Sequence, residues 1–172
     1  MHPSSINNMK LVRSKYLTNL TPGLTIVDVG GRGLGSDRSY RGVFADLDPV
    51  YHIADIVNGD GVTPIMPGPY TLPFADNSID LVVSGQTLEH VKNPFRSVAE
   101  MRRVLKPGSY IVIIAPSAGP RHDVIDCWRY MDDAFQAIAE EVNLTVVADW
   151  IDTKAPDERS RKWADHVFVG QR

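Results

Sequence analysis

LPFADNSIDLVVSGQTLEHVKNPFRSVAEMRRVLKPGSYIVIIAPS, residues 72–117, holds the changes of hydrophobic period that decide the fold. IDLVVS at 79–84 is a short apolar run of strand length. From Thr87 to Leu105 the apolar residues recur at helical spacing, with Pro94 inside the pattern as a kink or as a new first turn. KPGS at 106–109 reads as a turn, and YIVIIAPS at 110–117 is the most apolar strand candidate in the chain. Strand, helix, strand in this order is the βαβ unit, whose two strands run parallel.

The same alternation continues outward. Upstream, Ile6 to Leu20 has apolar residues at 6, 9, 12, 16, 17 and 20, with Ser4 or Ser5 as candidate caps and TPG at 21–23 as the stop. LTIVDV at 24–29 and YHIADIV at 51–57 read as strands, SYRGVF at 39–44 as a short helical turn, and the Gly- and Pro-rich 58–73 as a loop. Downstream come a loop at 118–130, a helix from Asp132 to Val142 with an acidic first turn, and strands at 144–151 and 165–171. The connection between these two strands is too short and polar for a crossover helix, so they are expected to be antiparallel. The pattern implies one domain, a doubly wound α/β sheet with an antiparallel end. Its parts are an N-terminal helix (1–23), a central α/β core (24–117) and a loop with the C-terminal strands (118–172).

A net charge of −3 lacks the basic footprint that nucleic acid requires. Arg159, Arg161 and Lys162 cluster, which reads first as a solvated loop. One cysteine, Cys127, excludes an internal disulfide; it is expected to be a small packed hydrophobe rather than a nucleophile. MHPSSINNMK lacks the apolar stretch of a signal peptide, and no run reaches a membrane span, so a cytoplasmic location without membrane contact is expected.

Open α/β sheets bind ligands at the carboxyl ends of their strands, near the point where strand order reverses. That gathers the loop after Val29, the end of the 51–57 strand and the loop after Val83. In TIVDVGGRGLG, 25–35, the glycines let backbone approach a ligand closely. Gly31 and Gly33 begin a G-x-G-x-x-G dinucleotide fingerprint, but Ser36 stands at its third glycine. Asp55 is positioned to accept hydrogen bonds from both hydroxyls of a ribose. Asp46 and Asp48 are rivals at shorter range, but they lack a strand body before them.

LPFADNSID (72–80), LEH (88–90) and RVLKPGS (103–109), in this order and spacing, resemble the class I S-adenosylmethionine-dependent methyltransferases. The resemblance covers roughly residues 24–151. SYR (39–41), SGQTLEH (84–90) and APSAGPRH with DCWRY (115–130) further resemble small methyltransferases of polysaccharide or secondary-metabolite pathways. The resemblance implies a Rossmann-like mixed sheet of seven strands with an antiparallel terminal strand. It implies S-adenosylmethionine as cofactor, with Asp28, Gly30, Gly31 and Gly33 at its methionine end and Asp55 on its ribose. Tyr70, Thr71 and Leu72 would line its adenine, and Ser84, Gly85 and Gln86 would lie beside its sulfonium. Arg32 and Leu34 occupy glycine positions of the first motif, and Gly68 stands where an acid usually precedes the adenine loop.

A hydroxyl or amine acceptor needs a base near neutral pKa, which suits histidine. His122, close to Asp126, is the first candidate and His90 the second; Trp128 and Arg129 are candidates to bind substrate, Arg129 through an anionic group. The carboxylates are scattered and no His/Cys spacing matches a zinc site, so no metal is expected. The expected partner is a small-molecule or glycan acceptor, with a homo-oligomer a further option. A nicotinamide-dependent reductase and a catalytically silent methyltransferase fold acting as a partner subunit stand as alternatives.

Overall fold

The computed structural model describes residues 3–32, 39–155 and 157–172; the side chain of residue 159 lies outside this description. The elements run α1 (Pro3–Tyr16), β1 (Thr25–Val29), β2 (Val50–Asp55), β3 (Val62–Ile65), β4 (Ile79–Gly85), α2 (Pro94–Val104), β5 (Leu105–Pro116), α3 (Ala134–Val142), β6 (Thr145–Ile151), α4 (Glu158–Trp163) and β7 (Asp165–Gln171), with 3₁₀ turns at Tyr40–Val43, Ala45–Leu47 and Leu88–His90. One seven-stranded sheet has the order β3-β2-β1-β4-β5-β7-β6. β1 to β5 run parallel to one another, and β7 is antiparallel to both β5 and β6. The reversed C-terminal end is therefore as expected.

Each central strand is buried on both faces, and successive residues feed opposite cores. Val27, Val82, Ile111 and Ile113 pack with α2 and α3 through Val98, Met101, Phe135 and Ile138. Ile26, Leu81, Val83, Val112 and Ile114 pack with α1 and the 40–47 turns through Met9, Val12, Tyr40 and Phe44.

Five boundaries differ from the sequence expectation, each for a local reason. β3 lies inside the expected loop. It pairs with β2 (Ile53 with Thr63, Asp55 with Ile65) as an edge strand, where Pro64 is tolerated. Pro94 opens α2 as a new first turn, with Asn93 Oδ1 accepting from the Arg96 N–H at 3.1 Å. The KPGS turn belongs to β5, which absorbs Gly108 at φ 79° through a register shift opposite Ile79–Leu81. Ser4 and Ser5 sit within α1, not at its cap: Ser4 Oγ donates to Asp165 Oδ2 (2.7 Å), and Ser5 Oγ pairs with Tyr40 Oη (2.6 Å). The polar connection between β6 and β7 contains the short helix α4, whose Asp157 cap accepts from the Ser160 N–H at 2.8 Å. No described helix is long and apolar enough to cross a membrane.

Candidate functional site

Strand order reverses between β1 and β4, and the carboxyl ends of β1, β2 and β4 open there onto a cleft of about 700 Å³. Its glycine floor is sterically determined. Gly30 has φ 75°, and a Cβ there would lie 2.2 Å from the Thr87 methyl; a Cβ on Gly31 would lie 2.5 Å from the Asp28 carboxyl carbon. The N-terminal half of the glycine loop thus closes against Thr87, just after β4, on one side and Asp28 below. Gly33, Leu34, Gly35 and Ser36 lie outside the described residues.

Asp28 shapes this floor from beneath rather than facing the cleft. It is fully buried, and its Oδ2 accepts from Tyr51 Oη at 2.8 Å, while Oδ1 has no partner among the described residues. Burial, only partly offset by the Tyr51 hydrogen bond, pushes its carboxyl up to about 7. Ser84 is likewise internal: its hydroxyl donates to the Val29 carbonyl at 2.9 Å and ties β4 to β1. Gly85 and Gln86 do line the cleft. A Cβ on Gly85 would lie 2.0 Å from Tyr40 Oη, and Gln86, at φ 56°, donates its side-chain amide to Asp165 Oδ1 at 2.9 Å.

Asp55 ends β2 and faces the cleft. Its Oδ1 accepts from the Val57 N–H at 2.9 Å and its Oδ2 from the Arg32 N–H at 3.3 Å. Each oxygen keeps lone-pair capacity, because a carboxylate oxygen accepts about two hydrogen bonds. Arg32 runs its stem past Gly59, whose Cβ would meet Arg32 Cγ at 3.0 Å. That is the β2 side of β1, away from Gly85 and Thr87 on the β4 side. Of the expected adenine segment, Tyr70 turns towards α2: its Oη accepts from the Asn93 N–H at 3.2 Å, and Arg96 lies over its ring at 4.6 Å. Leu72 is buried in the core and Thr71 is exposed outside the cleft. The apolar residues that line the cleft beside Asp55 are instead Ile56, Met66 and Pro69.

The opposite wall is made where the 118–130 segment docks on the Leu88–His90 turn. Four hydrogen bonds hold it: Tyr130 Oη to the Leu88 carbonyl (2.8 Å), Cys127 N–H to the Glu89 carbonyl (2.7 Å), Trp128 Nε1 to the Val91 carbonyl (2.8 Å), and His90 Nδ1 to the Ile125 carbonyl (2.6 Å). Trp128 and Arg129 are parts of this frame and do not line the cleft. All five guanidinium hydrogens of Arg129 are used, on the carbonyls of Gly119, Pro120 and Trp128 and on both oxygens of Asp126. Cys127 is exposed, not packed, because its backbone rather than its side chain anchors the loop.

Asp126 and His122 come together as the sequence suggested. Asp126 accepts from the His122 N–H (2.8 Å) and from His122 Nδ1 (2.9 Å), and hydrogen bonds from Arg129 hold its carboxyl far below the usual carboxylate range. An ionised carboxylate can only accept, so His122 Nδ1 carries a proton and Nε2 is left as the free nitrogen. The His122 ring lies tilted against Trp163 of α4 at 4.8 Å and meets the His90 ring edge-on at 5.0 Å. His90 Nδ1 faces a carbonyl and must also donate, which turns its Nε2 lone pair outward; Nε2 lies 3.6 Å from Glu89 Oε1.

Glu89, Thr87, Met66 and Trp163 line the cleft without having been singled out in the sequence. Glu89 is the most unusual of them. It is 0% exposed, neither carboxylate oxygen has a hydrogen-bond partner among the described residues, and burial pushes its carboxyl up. LEH marks the position, but only the docked loop reveals that this acid is dehydrated.

Comparison with known proteins places the chain. Residues 45–113 match the methyltransferase domain family, a match that begins beyond the glycine loop. An uncharacterized methyltransferase of Mycobacterium avium is 36% identical over 110 residues, which cover 56% of this chain and 43% of that protein. The chain thus spans less than half the length of the curated relative it matches. A chain of the complex between the Haloferax volcanii Trm112 methyltransferase activator and the putative methyltransferase superposes with a TM-score of 0.70 at 17% identity, over 98% of this chain and 90% of that one. The Burkholderia thailandensis 1,6-didemethyltoxoflavin-N1-methyltransferase, solved with S-adenosylhomocysteine, superposes with a TM-score of 0.74 at 13% identity, over 98% of this chain and 78% of its own. The central segment of the chain is thus similar in sequence to methyltransferase domains, and its fold is that of solved S-adenosylmethionine-dependent methyltransferases.

Proposed function

We propose that the chain transfers a methyl group from S-adenosylmethionine to a small-molecule or glycan acceptor. The observation that carries this reading is Asp55. Its two oxygens stand at the end of β2 facing the cleft, each steadied by one backbone N–H and each able to accept one hydroxyl of a ribose diol. The neighbouring surfaces fit the rest of the cofactor: Ile56, Met66 and Pro69 offer an apolar bed for adenine, and Gly30 and Gly31 bring bare backbone to the methionine end. When bound, the cofactor supplies a methyl carbon already activated by a sulfonium.

The protein's share is orientation and proton handling. Gly85, Gln86 and Thr87 form the floor where the two halves of the cleft meet. On the acceptor side, His122, oriented by Asp126, and His90, oriented by the Ile125 carbonyl, offer Nε2 lone pairs to an acceptor proton. Asp28 acts indirectly, by supporting Gly31.

Calorimetric titration with S-adenosylhomocysteine tests the reading. Binding is expected, together with its loss in a folded Asp55→Ala chain. Absence of binding at millimolar concentration refutes the cofactor assignment, and unchanged affinity in Asp55→Ala refutes the ribose assignment. Binding of NADH in place of S-adenosylhomocysteine would make the chain a reductase.

A further inference from the structure

We propose that Glu89, His90 and His122 form a binding site for a divalent transition-metal ion of the zinc, iron or cobalt type at the acceptor end of the cleft. One ligand atom from each of the three residues lies within 4.8 Å of the other two. In a tetrahedral site with metal–ligand bonds of about 2.0–2.1 Å the ligand atoms are about 3.4 Å apart. The Glu89 Oε1–His90 Nε2 separation of 3.6 Å is already close to that value. A ring nitrogen of His122 lies within 4.8 Å of both other ligand atoms, on a partly exposed ring that can turn towards an ion.

Two independent observations make this more than a cluster. Glu89 is a wholly buried carboxylate with no hydrogen bond to either oxygen among the described residues, and it lines the cleft. Burying an unpaired carboxylate is costly, and a bound cation satisfies it. Each histidine also has its Nδ1–H committed to an acceptor outside the cluster, His90 to the Ile125 carbonyl and His122 to the Asp126 carboxylate. That arrangement fixes the tautomer, leaves Nε2 as ligand and raises its basicity, which is how metal-bound histidines are held. Asp126 is itself gripped by Arg129, so the outer partner is rigid.

The donor set selects the ion. Two imidazoles and one carboxylate suit zinc, iron(II) or cobalt(II), whereas magnesium and calcium prefer all-oxygen shells. Three protein ligands leave at least one coordination position open. On the cleft reading above, that position faces the acceptor. The rings then serve as ligands, and the ion itself lowers the pKa of an acceptor hydroxyl bound to it.

The test omits S-adenosylmethionine, so its result is independent of methyl transfer. An untagged Cys127→Ser chain, which removes the exposed thiol as a competing ligand, is stripped of metal and titrated with Zn²⁺ by calorimetry and with Co²⁺ by visible absorption. One equivalent is expected to bind, with the intense d–d bands of four- or five-coordinate cobalt. His122→Ala and Glu89→Gln are expected to weaken binding by about 100-fold or more, and Asp126→Asn by about 10–100-fold. His52→Ala, outside the cluster, is expected to have no effect. Circular dichroism confirms that each variant is folded. The site is overturned if Zn²⁺ does not bind, if His122→Ala binds it as tightly as the parent chain, or if cobalt shows only the weak spectrum of a six-coordinate aquo ion.

Discussion

Replacing Asp28 by Asn is expected to change how stability depends on pH. The folded chain holds the Asp28 carboxyl near 7 against an ordinary value of 3.8. Between these values the folded state keeps a proton that the unfolded chain has released, so the contribution to stability falls as pH rises. At 1.36 kcal/mol per unit, the full shift of about three units corresponds to about 4 kcal/mol, all of it lost above pH 7 and none below about pH 4. Asn carries no proton to lose, so it removes this slope. Its oxygen can accept from Tyr51 Oη as Asp28 Oδ2 does, and its amide replaces Oδ1, which has no partner among the described residues. An orphaned buried amide costs about 1–3 kcal/mol, but equally at every pH. Urea unfolding of both chains, followed by tryptophan fluorescence, is therefore expected to show Asp28→Asn gaining about 3 kcal/mol on the parent between pH 5 and pH 8, whichever chain is the more stable at pH 5. Other titrating groups are common to both chains and cancel. A difference that stays constant from pH 5 to pH 8 refutes the buried, unionised Asp28.

Gly85→Ala places a Cβ 2.0 Å from Tyr40 Oη, which is itself held by Ser5. It is expected to destabilise the chain by about 2 kcal/mol or more, with partial recovery in the double variant with Tyr40→Phe, measured by urea unfolding. Gly30→Ala meets both a left-handed φ and the Thr87 side chain, and is expected to cost more than the roughly 1–2 kcal/mol of the backbone conformation alone. Thr87→Ala in the same chain is expected to return the excess over the backbone cost. Tyr130→Phe strands the Leu88 carbonyl at the docking point of the 118–130 segment, an expected loss of about 1–3 kcal/mol, with faster amide exchange at Cys127 and Trp128 as the local readout.

The architecture was legible because it follows from local periodicity. Runs such as IDLVVS and YIVIIAPS are buried on both faces, so their composition alone marks parallel central strands. The short polar link before DHVFVGQ was enough to require the antiparallel end, although it contains α4. β3 was hidden because four residues with a proline at a sheet edge carry no period. Asp55 ends its strand and lines the cleft, a position that a strand body before an acid signals locally.

The roles around the cleft were legible only in part. Alternation along β4 and β1 cannot tell a residue facing a ligand from one facing the sheet below it, so Ser84 and Asp28 look like binding residues in sequence and are internal in the structure. Trp128 and Arg129 look like a substrate clamp, but are consumed in fixing the loop. The chain's sequence by itself determined the doubly wound sheet, its switch point and the acid at the end of β2, because each depends on neighbours within a few residues. Only the tertiary structure decided that Glu89, His90 and His122, whose positions span 34 residues of chain, share one wall around a carboxylate that has no hydrogen-bond partner among the described residues. That juxtaposition is made by hydrogen bonds between the 118–130 segment and the turn after β4, long-range contacts that leave no periodic trace in the sequence.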